Sequence, residues 1–168
     1  MNHPYHVLFL CTGNSARSIL AEALLNHLGC ERFIAHSAGS QPAGTVNPYA
    51  LALLERNGLA VDSLRSKSWD EFERPEAPTM DLIITVCNSA AGESCPVWPG
   101  RPVTAHWGIP DPAAVAGSHG DKQKAFAAAH DMLRHRISLL VNLPVTRLDR
   151  MSLQQELRNI HLSAPGHD

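Results

Sequence analysis

Cys11-Thr12-Gly13-Asn14-Ser15-Ala16-Arg17-Ser18 gathers a thiol, a glycine, two serines and an arginine into one short stretch. Five residues separate Cys11 from Arg17. A turn of this length leading into a helix aims successive backbone N–H groups at one concavity, and the helix N-terminus adds partial positive charge. Gly13 gives the backbone freedom to turn inward. Arg17 can hold two oxygens of a tetrahedral anion with its planar fork. The same field favours Cys11 as a thiolate, the nucleophilic form of the side chain. Ser15 or Ser18 can offer a hydroxyl to the sulfur. The oxyanion-binding residues read from this stretch are Thr12, Gly13, Asn14, Ser15, Ala16, Arg17 and Ser18. The plainer alternative is a buried cysteine before an ordinary strand–helix turn.

The elements around this stretch must place it at the edge of a sheet. The apolar run Tyr5–Cys11 reads as a buried strand. Ala16–Leu28 reads as a helix with Ile19, Leu20, Ala23, Leu24 and Leu28 on one face and Gly29 as its stop. Arg32–Ala38 reads as a second strand, closed by Gly39. Asn47-Pro48 is an N-cap and first helical residue, giving a helix over Pro48–Asn57 with Gly58 past its end. Ser68-Trp69-Asp70-Glu71 fits a capping box opening a short helix. Asp81–Cys87 and Val103–Trp107 read as the third and fourth strands, with a long loop over Asn88–Gly100 between them. Asp121–Leu143 carries a long helical pattern, with Phe126, Met132, Leu133, Ile137 and Leu140 as core positions. Strands alternating with helices predict an α/β fold, a parallel sheet with helices on both faces. Right-handed crossovers put every strand's C-terminal end, Cys11 included, on one edge.

The chain of 168 residues suits one domain, read as residues 1–143, followed by a tail over 144–168. In that tail Leu153, Leu157 and Ile160 sit at helical spacing, so Ser152–His161 is expected to form a small helix packed on the domain's own surface, a dimer contact being the alternative. The net charge of -2 argues against a nucleic-acid partner. The longest apolar runs are strand-sized, so no membrane span is expected. The sequence enters its first strand within a few residues, with no signal-peptide pattern, which points to the cytoplasm. Structural disulfides are rare there, so Cys11, Cys30, Cys87 and Cys95 read as reactive or buried thiols. The ten histidines show no metal-ligand spacing. A zinc site at Cys87, Cys95 and His106 lacks a Cys-x-x-Cys pattern, and no metal or other cofactor is expected.

The stretch Cys11–Ser18, in an N-terminal strand–loop–helix, resembles the low-molecular-weight protein tyrosine phosphatases and the arsenate reductases built on their fold. The resemblance covers roughly residues 5–143 and implies a four-stranded sheet of order 2-1-3-4. It also implies a general acid at Asp111, in His106-Trp107-Gly108-Ile109-Pro110-Asp111-Pro112. The phosphatases usually follow the Asp-Pro pair with tyrosines, whereas this chain has Ala113-Ala114-Val115. The His-Trp-Gly stretch is similar to that of the reductases. In the implied order the strands ending at Cys11 and Cys87 are neighbours, about 4.8 Å apart. Cys87 and Cys95, with seven residues between them, resemble the reductases' resolving pair.

The thioredoxin-coupled members have six residues between that pair, and many relatives carry a cysteine where this chain has Ala16. The implied activity is reduction of arsenate, with phosphate or sulfate as its mimic. Cys11, Arg17 and Asp111 would act on the oxyanion, and a disulfide relay would run through Cys87 and Cys95. Thioredoxin is the implied reductant, with glutathione and glutaredoxin as the other candidates. The competing activity is a phosphatase for phosphotyrosine or a small phosphate ester. A sensor that binds arsenic(III) through its cysteines comes third. Some relatives also hold a potassium ion beside the loop. Asn14 and Glu22 match that site, but Lys67 and Trp69 replace its Thr and Asp, so Lys67 is expected to supply the positive charge. Cys30, at the end of the first helix, reads as a thiol without a role.

Overall fold

A computed structural model describes residues 4–86 and 102–162. Four parallel strands form one sheet: β1 (Tyr5–Leu10), β2 (Phe33–Ala38), β3 (Leu82–Thr85) and β4 (Val103–His106), in the order β2-β1-β3-β4. The register pairs Leu10 of β1 with Ala38 on one side and Thr85 on the other, and Thr85 with His106. The four strands therefore end together, as the crossover argument requires. Among the described residues four α-helices accompany them: α1 (Arg17–Gly29), α2 (Pro48–Arg56), α3 (His119–Val141) and α4 (Arg150–Leu162).

Side-chain alternation along each strand divides the core. Val7, Phe9 and Cys11 share the larger cluster with Ile19, Leu20 and Leu24 of α1, Leu133 and Ile137 of α3, and Leu157 of α4. Leu8, Leu10 and Ile83 face the other way, under Phe72 and Trp69 of the short 3₁₀ helix Trp69–Phe72 and under Met80. Both faces are covered, though unequally. The alternation also decides which way Cys11 points: it continues the Val7, Phe9 series toward α1.

Three local expectations change. Helix α1 does not have one buried face: every residue from Ser18 to Leu25 is buried. A helix enclosed all round shows little amphipathic signal. Gly29 does end α1, as expected, but it is not left-handed. Cys30 takes that conformation (φ 51°), while a Cβ on Gly29 would lie 2.8 Å from Cβ of Phe33. At Ser68 the hydroxyl accepts the Asp70 N–H and starts a 3₁₀ turn, not the expected capping box. A reciprocal box does form at Ser118 and Asp121, each side chain accepting the other's backbone N–H at 3.1 Å, so α3 begins two residues earlier than Asp121.

The helix of residues 150–162 packs beside β4. Leu153, Leu157 and Ile160 are buried in the main cluster, and the Trp107 indole N–H donates to the Leu157 carbonyl at 3.0 Å. Among the described residues no helix is long and apolar enough to cross a membrane.

Candidate active site

Cys11 follows the last residue of β1 and is buried, with 6% of its surface exposed. Its own N–H donates to the Ala38 carbonyl at 3.2 Å, which extends the β1–β2 ladder by one step. Beyond it the loop's carbonyls turn outward and are taken by the segment after β2. Thr12 O accepts Gln41 N–H (3.0 Å), Gly13 O accepts Ala43 N–H (2.9 Å), and Ser15 O accepts Asn47 N–H (2.8 Å). In a trans peptide the N–H points opposite to its carbonyl. The N–H groups of Gly13, Asn14 and Ala16 therefore face away from that segment. This is how a loop becomes a nest of donors for an anion.

The turn expected at Gly13 is made by Asn14. Asn14 has φ 44°, whereas Gly13 is not left-handed and a Cβ there would meet only Ser15 Oγ, at 3.8 Å. Asparagine tolerates this region because its short polar side chain can bond locally. Here that side chain is fully buried; Nδ2 donates to Ser18 Oγ at 2.8 Å and Oδ1 accepts the Lys67 N–H at 2.8 Å. Asn14 thus ties the loop to α1 and to the segment before the 3₁₀ helix.

The glycine that the loop does need is Gly39, expected only to close β2. A Cβ at Gly39 would lie 2.4 Å from Thr12 O and 2.6 Å from Cys11 O. Neither Gly39 nor Thr12 can back away easily. Gly39 N–H donates to Lys67 O, Trp69 N–H donates to Gly39 O, and Thr12 O is already bonded. Gly39→Ala should distort the anion loop and cost about 1–3 kcal/mol, as overpacking does elsewhere. Calorimetric titration with phosphate should show at least a roughly tenfold loss of affinity, since misplaced donors stop converging. Wild-type affinity in the variant would mean that the loop's shape does not depend on this close approach.

Arg17 opens α1 and spans to the loop after β4. Its Nη1 donates to Ile109 O at 3.0 Å, and its Nη2 lies 3.6 Å from Asp111 Oδ2. Asp111 is partly exposed and caps the 3₁₀ turn Pro112–Ala114 by accepting Ala113 N–H at 3.0 Å. The loop is anchored from below by Trp107, fully buried, whose N–H donates to Thr85 O at 2.7 Å, and by Ile109 N–H on Val86 O at 3.2 Å. The structure thus brings Cys11, Arg17 and Asp111 to one sheet edge. Cys87 and Cys95 lie outside the described residues. Cys30 is exposed at the far end of α1, its Sγ 3.6 Å from His27 O.

Beneath the loop lie a buried carboxylate and a buried ammonium. Glu22 Oε1 accepts the Ser37 hydroxyl at 2.5 Å, and Lys67 Nζ lies 3.8 Å from the same oxygen. Lys67 Nζ also donates to Arg65 O at 2.9 Å. Burial pushes the Glu22 carboxyl up, opposed mainly by the Lys67 charge. Burial pulls the Lys67 amine down, opposed mainly by Glu22. Each charge offsets part of the other's desolvation, which is the condition for keeping either one inside. Lys67 thus brings a positive charge to within 3.8 Å of the Glu22 carboxylate.

The sequence pattern of the family described as low molecular weight phosphotyrosine protein phosphatase matches residues 6–156. The chain belongs to this family. It is also 34% identical to an arsenate reductase of Halalkalibacterium halodurans, over 78% of this chain and 91% of that one. Among solved structures it is similar to an arsenate reductase from Archaeoglobus fulgidus, with 32% identity, a TM-score of 0.61, and coverage of 82% of this chain and 99% of that one. It is further similar to the thioredoxin-dependent arsenate reductase of Corynebacterium glutamicum, with 25% identity, a TM-score of 0.55, and coverage of 78% and 59%. The sheet order β2-β1-β3-β4 is the one the family resemblance implied.

Proposed function

We propose that this member of the family reduces arsenate to arsenite. The observation that carries the reading is the outward pinning of the Thr12, Gly13 and Ser15 carbonyls. It turns the N–H groups of Gly13, Asn14 and Ala16 away from the segment after β2, in the loop between Cys11 and Arg17, the proposed oxyanion cradle, and Arg17 Nη2 lies 3.6 Å from Asp111 Oδ2. Supporting it are the reductases among the relatives and the absence of tyrosine after Asp111-Pro112, where Ala113 and Ala114 form the 3₁₀ turn.

In this mechanism arsenate binds the cradle and Arg17. The Cys11 thiolate attacks arsenic, forming a sulfur–arsenic bond, and Asp111 gives its proton to the departing oxygen. Cys87 then attacks the Cys11 sulfur. The sulfur–arsenic bond breaks with its electron pair on arsenic, arsenite leaves, and a Cys11–Cys87 disulfide remains. Cys95 attacks Cys87, frees Cys11, and leaves a Cys87–Cys95 disulfide for an external dithiol to reduce. Thioredoxin is the dithiol we favour, on the likeness to a thioredoxin-dependent relative. We place the reaction in the cytoplasm, where free thiols stay reduced.

The test is one turnover with arsenate and no reductant, followed by disulfide mapping by mass spectrometry. One equivalent of arsenite and a Cys87–Cys95 disulfide are expected. A fully reduced protein that makes no arsenite but hydrolyses aryl phosphates would replace the reading with a phosphatase.

A further inference from the structure

Arg136 occupies a core position of α3, between Leu133 and Leu140, and only 3% of it is exposed. Among the described residues no carboxylate pairs with it. Its Nη1 donates to Gly108 O at 3.2 Å, and its Nε is buried without a partner. Burying a guanidinium with so few partners is unfavourable, and methionine or leucine would fill the same helix face without that cost. The donor itself must therefore have a use, and its acceptor identifies it. Gly108 lies in the loop that ends in Asp111. The next carbonyl along, Ile109 O, accepts from Arg17 at 3.0 Å.

These two grips differ in one respect. Arg17 faces the oxyanion cradle and also approaches Asp111, so a bound oxyanion competes for its guanidinium. Arg136 is sealed beneath the loop and stays in place whatever the cradle holds. We propose that Arg136 is a positioning residue: its bond to the Gly108 carbonyl keeps the Asp111 loop in place once Arg17 has turned to the oxyanion. This rests on the reading of Asp111 as the general acid.

The test uses the first step on aryl phosphates. There the Cys11 sulfur–phosphorus bond forms, the phosphorus–oxygen bond to the phenol breaks, and Asp111 donates its proton to that oxygen. Phenol release in a single turnover is measured over a series of leaving groups, from p-nitrophenol to phenol, in the full-length protein. A well-placed acid makes the rate nearly insensitive to leaving-group acidity. Arg136→Met should slow phenyl phosphate about 10- to 100-fold and p-nitrophenyl phosphate less than about threefold, the pattern of a misplaced acid. Alkylation of Cys11 by iodoacetate should keep its wild-type rate. Arg136→Lys, which retains a donor, should give an intermediate slope.

A merely structural role would slow all leaving groups alike, and that outcome, or a wild-type slope, would overturn the proposal. If Arg136→Met does not fold, Arg136→Lys decides: a steeper slope than wild type supports the proposal and an unchanged one sinks it. Asp111→Asn separates the two ideas. A steep slope there with a wild-type slope in Arg136→Met removes Arg136 alone. An insensitive rate in Asp111→Asn removes the acid assignment and this proposal with it.

Discussion

Cys11→Ser should bind phosphate in the cradle, make no arsenite and release no phenol from an aryl phosphate. The substitution replaces sulfur by oxygen at a site that is 6% exposed, so it adds no bulk and removes no backbone donor. The Thr12, Gly13 and Ser15 carbonyls keep their outward partners, and the N–H groups opposite them stay aimed at the anion. What changes is the nucleophile. A serine hydroxyl is a far weaker acid than a thiol, and this loop supplies no base to activate it. Serine also cannot form the disulfide by which the electrons leave. Loss of an essential nucleophile typically costs on the order of 10⁴- to 10⁶-fold, so both reactions should fall to background. Phosphate titration by calorimetry and an arsenite assay, run on the same preparation, check the two halves. Arsenite production at an appreciable rate would move the nucleophile to another cysteine.

Much of this site is legible in the sequence because its parts are local. The run from Cys11 to Ser18 places a thiol, a turn and an arginine between a strand and a helix, and the structure keeps that order. The sheet follows from apolar runs whose period and spacing survive translation into β1 to β4. What stays hidden depends on residues distant in the chain. Gly39 looks like an ordinary strand-ending glycine until its α-carbon is seen against the carbonyls of Cys11 and Thr12. The left-handed turn falls on Asn14 instead of Gly13 because Lys67, in a remote segment, offers its N–H to the asparagine side chain. Ser68 and Ser118 both precede acidic residues, yet only Ser118 forms the reciprocal box. Ser68 is committed to an isolated bridge with Gly39, which holds its segment extended before the 3₁₀ turn. Arg136 did leave a signal: an arginine at the spacing of Leu133 and Leu140 breaks the apolar stripe of α3. Only the fold says that the break serves Gly108.

The distal thiols should separate the two chemistries of this family. In the proposed mechanism phosphoester hydrolysis needs the cradle, Arg17 and Asp111, and water completes it. Arsenate reduction also needs a thiol to take the Cys11 sulfur away from arsenic. Cys87 is joined by one peptide bond to Val86. The Val86 N–H donates to Leu10 O at 2.9 Å, and the Val86 carbonyl accepts Ile109 N–H. The end of β3 therefore lies beside the end of β1, where Cys11 begins the cradle. Cys87→Ser should abolish arsenite release, because the thiol that attacks the Cys11 sulfur in the proposed relay is then missing, and should leave aryl phosphate hydrolysis near wild type. Cys95→Ser should yield at most one arsenite per chain with thioredoxin as reductant and trap a Cys11–Cys87 disulfide, identifiable by peptide mapping. Full turnover of Cys95→Ser with glutathione and glutaredoxin would make Cys87 the last internal thiol and move the donor away from thioredoxin. Wild-type arsenite production by both variants would make the pair structural and leave hydrolysis as the better account of the cradle.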